Sequence, residues 1–175
     1  MTTQSPSGVR KRQGEPPCSI IQKKVWIQAS AKVVFQALTD SRELAHWFCD
    51  RATSDPREGG ELTAYWRTRR SAEKGRAVFT RVVPGKAVEL HWMDDGDGAA
   101  ESGHTLSYEI RSKSGLTEVV MLDRDDATPD EETTTYLDQG WNTVLLELKD
   151  YCERRERSLK TLGGARKRSG ETPPE

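Results

Sequence analysis

The sequence lacks both a long apolar run and a cysteine framework. No stretch approaches the roughly 20 consecutive apolar residues that a membrane-spanning helix requires, and no apolar segment follows the basic residues 10–12 as it would in a signal peptide. The three cysteines, Cys18, Cys49 and Cys152, stand far apart and outside any CxxC pattern, which is typical of free thiols in a reducing compartment. These absences predict a soluble, cytoplasmic protein.

The sequence also lacks an excess of charge of one sign. The 27 lysines and arginines nearly balance the 28 aspartates and glutamates, and the formal net charge is -1. A basic extension at 153–168 has interleaved glutamates and no aromatic partners, so we interpret it as a solvated tail rather than a membrane or nucleic-acid surface. Neither nucleic acid nor a membrane is a predicted partner.

The length and the hydrophobic content limit the chain to one core. With 175 residues, of which 34% are hydrophobic, the chain can bury a single core of ordinary size. Both ends are rich in glycine, proline, serine and charge, which leaves too little apolar surface to offset the entropy of ordering. We therefore predict a disordered tail at 1–17, one domain at 18–160 and a second disordered tail at 161–175.

The first third of the predicted domain has the pattern of a strand followed by two short helices. Residues Ile21–Ile27 alternate apolar and polar side chains, as in a strand with one buried face. Ser30 is a candidate N-cap for the first helix, and either Asp40 or Ser41 for the second. Residues 55–123 then read as antiparallel strands separated by turns, of which Pro84-Gly85 is the clearest.

A long amphipathic helix is predicted after the strands. Thr128–Glu131 has the pattern of a capping box with proline at the first helical position. Apolar residues follow at spacings of three and four. Thr133–Thr135 and Gly140 weaken the first turns, so the firm helix begins either at the capping box or nearer Asp138. A sheet with helices segregated to one face is an α+β arrangement.

A set of short segments occurs in a characteristic order along the predicted domain. The segments are Val25–Ala29, Val34–Asp40, Leu44–Phe48, Asp55–Gly60, Gly75–Val78, Val83–Lys86, Leu90–Trp92, Thr105–Ile110, Gly115–Val119, and Gly140-Trp141 with Leu145 and Leu148. This ordered set resembles the START-like, polyketide-cyclase (SRPBCC) helix-grip superfamily, and within it the domain homologous to the activator of heat-shock-protein-90 ATPase. The resemblance implies a curved antiparallel β-sheet wrapped around a long carboxy-terminal helix, with two short helices after strand one. The acidic loop 94–103 departs from the family pattern.

The resemblance also implies a cavity between the sheet and the last helix, and side-chain alternation predicts its lining. A cavity lined by apolar side chains with few polar groups suits a hydrophobic small molecule. Aromatic residues at such spacings also commonly fill a core. The predicted cavity residues are Phe48, Trp66, Val78, Leu90, Trp92, Tyr108, Val120, Trp141 and Leu145.

No catalytic or metal-binding constellation is evident. His46, His91 and His104, considered with Cys49 or Asp50, lack the short ligand spacings of a metal site, so no metal or cofactor is predicted. No nucleophile has a neighbouring base in a known motif. Glu118, with the same parity as Val120, is a candidate pocket acid or an exposed strand-end glutamate, and Cys152 is predicted to be a core residue.

Three functions follow from these observations. The first is a non-enzymatic protein that binds a hydrophobic small molecule. The second is a co-chaperone-like module acting on a heat-shock-protein-90-type ATPase, although the eukaryotic activators have a further amino-terminal domain for which residues 1–17 are too short. The third is a cyclase- or dehydratase-type enzyme. Lysines and glutamates on most strands oppose edge-to-edge pairing, which predicts a monomer or weak homodimer.

Overall fold

A computed structural model describes residues 19–67, 69, 71–93, 103–125 and 130–168, with side chains as far as 162. These residues form seven strands and three helices. The elements are β1 (Ser19–Ile27), α1 (Ala31–Thr39), α2 (Ser41–Trp47), β2 (Arg51–Ser54), β3 (Glu61–Arg67), β4 (Ala72–Val83), β5 (Ala87–Met93), β6 (Gly103–Lys113), β7 (Leu116–Asp125) and α3 (Glu131–Arg168).

The strands form one curved antiparallel sheet in the order β1-β7-β6-β5-β4-β3-β2. The chain starts at one edge, crosses to the other edge through α1 and α2, and returns one strand at a time until β7 pairs with β1. The predicted α+β helix-grip fold is therefore confirmed. Strand β2 was not predicted, because its four residues contain a single apolar side chain, Ala52.

The two short helices begin at the predicted caps. The Ser30 side chain accepts a hydrogen bond from the backbone N–H of Val33, and the Asp40 carboxylate accepts from the N–H groups of Arg42 and Glu43. Of the two candidates for the second cap, Asp40 is the residue used. A cap of this kind contributes about 1 kcal/mol to helix stability, because it satisfies backbone donors that have no partner within the helix.

Helix α3 differs from its prediction at both ends. It begins at Glu131, and the carboxylate of Asp130 accepts a hydrogen bond from the N–H of Thr133 at 2.7 Å; residues 128 and 129 of the predicted capping box lie outside the described residues. The alternative start near Asp138 is wrong, because the Thr134 hydroxyl donates to the carbonyl of Asp130 within a formed helical turn. The helix also continues to Arg168, into the segment predicted to be a disordered tail.

The strand register divides the side chains between an inner and an outer face. Residues directly opposite each other in paired strands share a face, so one inner side chain on each strand identifies the others. The inner face packs against α1 and α3, and burial of each large apolar side chain contributes about 1.5–3 kcal/mol. Fully buried members of this core are Ile27, Val34, Met121 and Leu148, whereas Leu62 and Phe79 belong to a second cluster that includes Leu44 of α2.

Candidate functional site

An apolar chamber lies between the inner face of the sheet and the helices. Its remaining cavity has a volume of only about 20 Å³, close to the space that one water molecule occupies. In this conformation side chains fill the chamber. The cavity is lined by Leu38, Leu44, Trp47, Phe48, Leu62, Leu90, Trp92, Leu106 and Tyr108.

Four aromatic side chains form one wall of the chamber. Phe48 is central: its ring lies 5.4 Å from that of Trp47, 5.3 Å from that of Trp66 and 6.2 Å from that of Trp92. Such pairs contribute about 0.5–1.5 kcal/mol each beyond the burial of their area. The indole N–H of Trp66 donates to the carbonyl of Phe48 at 2.7 Å and that of Trp47 to the carbonyl of Ala37 at 2.9 Å, which fixes the orientation of these two rings.

Gly75 allows two indoles to lie directly against strand β4. A Cβ atom at this position would lie 2.9 Å from Cζ3 of Trp92 and 3.0 Å from Cζ3 of Trp66. Both distances are too short for ordinary carbon contacts. The glycine is therefore required by the close approach of the rings to the backbone.

Asp123 places a carboxylate on the inner face, at the end of the chamber near α3. The residue is only 7% exposed, and its Oδ2 accepts a hydrogen bond from the indole N–H of Trp141 at 2.7 Å. Its Oδ1 has no hydrogen-bond partner among the described residues; Nε2 of His104 lies 3.9 Å away. Burial raises the pKa of Asp123, while the His104 charge and the Trp141 hydrogen bond oppose that shift.

Tyr108 is the second polar side chain on this part of the inner face. It is buried, lines the cavity and lies opposite Met121, one inner position from Asp123. Burial, and secondarily the charge of Asp123, raise the pKa of Tyr108. The phenol therefore remains a neutral hydrogen-bonding group at physiological pH.

Seven of the predicted cavity residues lie on the inner side of the sheet or on the helices that cover it. Phe48, Leu90, Trp92 and Tyr108 line the cavity. The other three are Trp66, which contacts the aromatic wall, Trp141, which binds Asp123, and Leu145, which is buried in the core. That these residues bind a ligand stays a prediction.

Val78 and Val120 require correction, because both lie on the outer face. Val78 is opposite Glu61 and Val120 is opposite Glu109, whereas their neighbours Ala77 and Met121 are fully buried. In β4 the inner positions include small residues, and in β7 four apolar residues follow one another. The alternation of apolar side chains therefore does not determine which face is inside in either strand.

Glu118 also lies on the outer face and is not a pocket acid. Its carboxylate forms ion pairs with Lys24 at 3.1 Å and with Arg111 at 3.9 Å. The candidate acid of the enzymatic interpretation is thus outside the chamber. The inner carboxylate, Asp123, was missed, although it has the same parity as Thr117, Val119 and Met121 in β7 and could have been identified from that pattern.

The histidines occupy different parts of the fold. Nδ1 of His46 lies 2.5 Å from the carbonyl oxygen of Arg42 on α2, and His91 contacts the Thr105 hydroxyl on the outer face. Within the described residues, no three histidine, cysteine or acidic side chains are grouped to hold a metal ion.

The two described cysteines are free thiols. Cys152 is a fully buried core residue, as the sequence predicts, and burial raises the pKa of its thiol to about 12. Of the helices in the described part of the chain, none is long and apolar enough to cross a membrane.

Comparison with known proteins identifies relatives of this arrangement. The model of a family described as "Activator of Hsp90 ATPase homolog 1-like protein" matches residues 28–153. No curated protein matches the sequence.

Among solved structures, the Aha1 dimer from Colwellia psychrerythraea is similar, with 21% identity, a TM-score of 0.64 and coverage of 77% of this chain and 96% of that one. A protein of unknown function from Staphylococcus aureus has 13% identity, a TM-score of 0.68 and coverage of 80% and 98%. DynU16, from the dynemicin biosynthetic locus, has 18% identity, a TM-score of 0.65 and coverage of 78% of this chain and 48% of that one. At these identities the similarity shows the fold alone.

Proposed function

The chain belongs to the family of activator of Hsp90 ATPase homolog 1-like proteins, and on that premise we propose that it binds an apolar small molecule that carries a hydrogen-bond donor. The ligand occupies the chamber between the sheet and α3, and its donor pairs with Asp123. The observation that carries the proposal is the buried Oδ1 of Asp123, which has no hydrogen-bond partner among the described residues.

An unpaired buried acceptor has an energetic cost that a ligand would remove. Leaving a buried hydrogen-bonding group unsatisfied costs about 1–3 kcal/mol, and more if the group is charged. An amine or hydroxyl donated to Oδ1 would recover that free energy. The rings of Phe48 and Trp92 and the phenol of Tyr108 line the adjacent cavity, so the rest of the ligand is expected to be apolar.

Ligand entry requires side chains to move, because the cavity of about 20 Å³ is too small for any organic molecule. A surface groove of about 370 Å³ runs along the first half of α3, and Trp141 belongs to its lining. Trp141 also holds Asp123. Rotation of this indole would connect the groove with the chamber and expose the carboxylate to the ligand.

The two halves of α3 are held differently, which favours opening at the first half. At the midpoint Lys149 donates to the carbonyl of Trp26, and in the second half Glu153 accepts from the N–H of Gln28 and Glu156 from the N–H of Ser30. The first half has an ion pair between Lys23 and Asp138, in addition to the hydrogen bond of Trp141. Tyr136 in this half is 75% exposed.

Native mass spectrometry of the purified protein without added ligand is the first test. A stoichiometric apolar molecule that carries an amine or hydroxyl would support the proposal and define the ligand class. For an empty protein, the melting temperature is then measured with apolar amines and alcohols and with hydrocarbons of matched size. Because a ligand that binds only the native state stabilises it, the compounds with a donor are expected to raise the melting temperature more.

A pair of carboxylate variants locates the binding site. Asp123→Asn removes the charge from the inner face, whereas Glu118→Gln removes a charge from the outer face of the same strand. We expect Asp123→Asn to weaken the binding of an apolar amine about tenfold or more, since a charge-assisted hydrogen bond is worth about 1.5–3 kcal/mol, and Glu118→Gln to leave it unchanged. Equal affinity in both variants would contradict the role of Asp123.

The second candidate function is a co-chaperone-like interaction, and the filled chamber favours it because a protein-docking module needs no internal space. The family description points to a heat-shock-protein-90-type ATPase as the partner. The test is the ATP turnover of such an ATPase with and without this protein. A saturable change in turnover that survives Asp123→Asn would separate this function from ligand binding.

We further propose a cytoplasmic monomer or weak homodimer. The relative from Colwellia psychrerythraea is a dimer, and the exposed edge strand β2 of this chain is only four residues long, which limits pairing through that edge. Sedimentation velocity over a range of concentrations distinguishes the two states.

A further inference from the structure

A cationic pocket lies between α2 and α3, on the surface and apart from the chamber. It has a volume of about 550 Å³. The sequence indicated that the basic residues after 153 form a solvated tail; the structure instead pairs Arg155 with Glu43 of α2 and places the exposed Arg154 in the lining of the same pocket. The pocket is lined by Arg42, Glu43, His46, Tyr151, Arg154, Arg155 and Ser158.

The one acidic side chain in the lining is already engaged. Glu43 accepts hydrogen bonds from the Tyr151 hydroxyl and from Nε and Nη2 of Arg155, the latter two at 3.3 and 3.2 Å. This pairing neutralises Arg155 and fixes the orientation of its guanidinium, because two parallel N–H···O bonds constrain the planar group. Burial, followed by the hydrogen bond to Glu43, raises the pKa of Tyr151, so the phenol remains a neutral donor.

The other two arginines retain their positive charge in the pocket. Among the described residues, neither Arg42 nor Arg154 forms an ion pair; Nε of Arg154 donates only to the backbone carbonyl of Asp150, at 3.2 Å. The formal charge of the lining is thus positive even with Glu43 ionised and His46 neutral. A concave site with several guanidinium groups matches the geometry and charge of an oxyanion.

From this arrangement we propose that the pocket between α2 and α3 binds a phosphate group. The terminal N–H groups of Arg42 and Arg154 donate to its oxygens, and the remaining Nη1 of Arg155, held in place by Glu43, is positioned to assist. A tetrahedral, multiply charged anion uses donors from two helices at once, which a single carboxylate does less well. The phosphate group belongs either to a soluble metabolite or to a lipid headgroup.

Isothermal titration calorimetry with inorganic pyrophosphate tests the site, with the intact protein at low ionic strength because screening weakens exposed charge pairs. We expect one saturable site. The double variant Arg42→Gln/Arg154→Gln should lose affinity by about tenfold or more for each arginine. Arg157→Gln is the matched control, since it removes an exposed arginine of the same helix that does not line the pocket, and it should bind as the unmodified protein does.

The source of the phosphate is distinguished by a second arm, in which flotation measures binding to vesicles of phosphatidylcholine with and without phosphatidic acid. Pyrophosphate binding without vesicle binding assigns a soluble ligand, and binding to the phosphatidic acid vesicles that pyrophosphate displaces assigns a headgroup. Absence of saturable pyrophosphate binding, or an equal loss in Arg157→Gln, overturns the proposal. Binding of a polyglutamate peptide that is lost in the double variant, without saturable binding of pyrophosphate, would also overturn it and indicate an acidic protein segment instead.

Discussion

At the scale of single residues, the chamber depends on positions where a small change in volume or charge has a large effect. Gly75 has no side chain where Trp66 and Trp92 approach the backbone. Oδ1 of Asp123 is buried without a hydrogen bond from any described residue, and Nε2 of His104 lies 3.9 Å away. The first position fixes the aromatic wall. The second leaves that end of the chamber with a buried hydrogen-bond acceptor that lacks a donor among the described residues.

Gly75→Ala is expected to destabilise the protein. The new methyl group would force the two indoles away from β4, and overpacking of this kind costs about 1–3 kcal/mol, which exceeds the ~0.5–1 kcal/mol that alanine gains over glycine in a regular element. Urea unfolding followed by tryptophan fluorescence measures both the free energy and the change in indole environment. Gly140→Ala is the control, because nothing lies within 4 Å of its added Cβ. Equal effects of the two substitutions would contradict the packing argument.

Asp123 is expected to make stability depend on pH. Burial raises the pKa of this carboxyl in the folded protein above its unfolded value, so its contribution to stability is fully present below the unfolded pKa of about 4. That contribution is lost as the pH rises through the folded pKa. Asp123→Asn cannot ionise, so its stability relative to the unmodified protein should increase as the pH rises above about 4. Melting temperatures across this range measure the difference; a constant difference would argue against ionisation of a buried carboxyl.

At the scale of elements, α3 combines three tasks. Its first half carries Trp141 over Asp123, its middle contributes Leu145 and Leu148 to the core, and its second half holds Arg155 against α2. Beyond residue 160 the described side chains, Thr161 and Leu162, are exposed. The helix therefore extends past the part of it that packs in the core.

Removal of the residues after 162 is expected to leave the fold intact. Thr161 and Leu162, the last side chains that the structure describes, are already exposed, so the cut removes no residue with a described contact in the core. Changes of this kind are usually within about 0.5 kcal/mol. Circular dichroism should show the same melting temperature, within a few degrees, for the shortened and the full chain. A larger fall would mean that the carboxy-terminal part of α3 packs on the domain, and would contradict the predicted boundary at residue 160.

At the scale of the whole molecule, the fold contains two separate regions in which polar groups are available to a ligand. One is the buried carboxylate of Asp123, which Trp141 covers from the first half of α3. The other is the set of arginines between α2 and the second half of α3. Because α3 contributes to both, occupation of one region could alter the other, but their lining residues do not overlap.

The order of the elements other than β2, the caps Ser30 and Asp40, and the apolar stripe of α3 could be read from the sequence. Each depends on residues only a few positions apart: a cap acts within one helical turn, and a stripe repeats every three to four residues. The same local pattern identified Trp92 and Tyr108 as inner residues. A local signal was therefore sufficient wherever polar and apolar side chains alternate clearly.

Three features were decided only by the tertiary structure. Val78 and Val120 lie on the outer face of the sheet, Oδ1 of Asp123 is buried without a hydrogen bond from a described residue, and Arg42 and Arg154 line the same pocket. The first depends on strand register, because a shift of one residue exchanges the two faces. The other two depend on which groups from distant parts of the chain pack together, and so on geometry that no short segment specifies. For this protein the sequence by itself determined the framework, and long-range packing decided which polar groups lack partners.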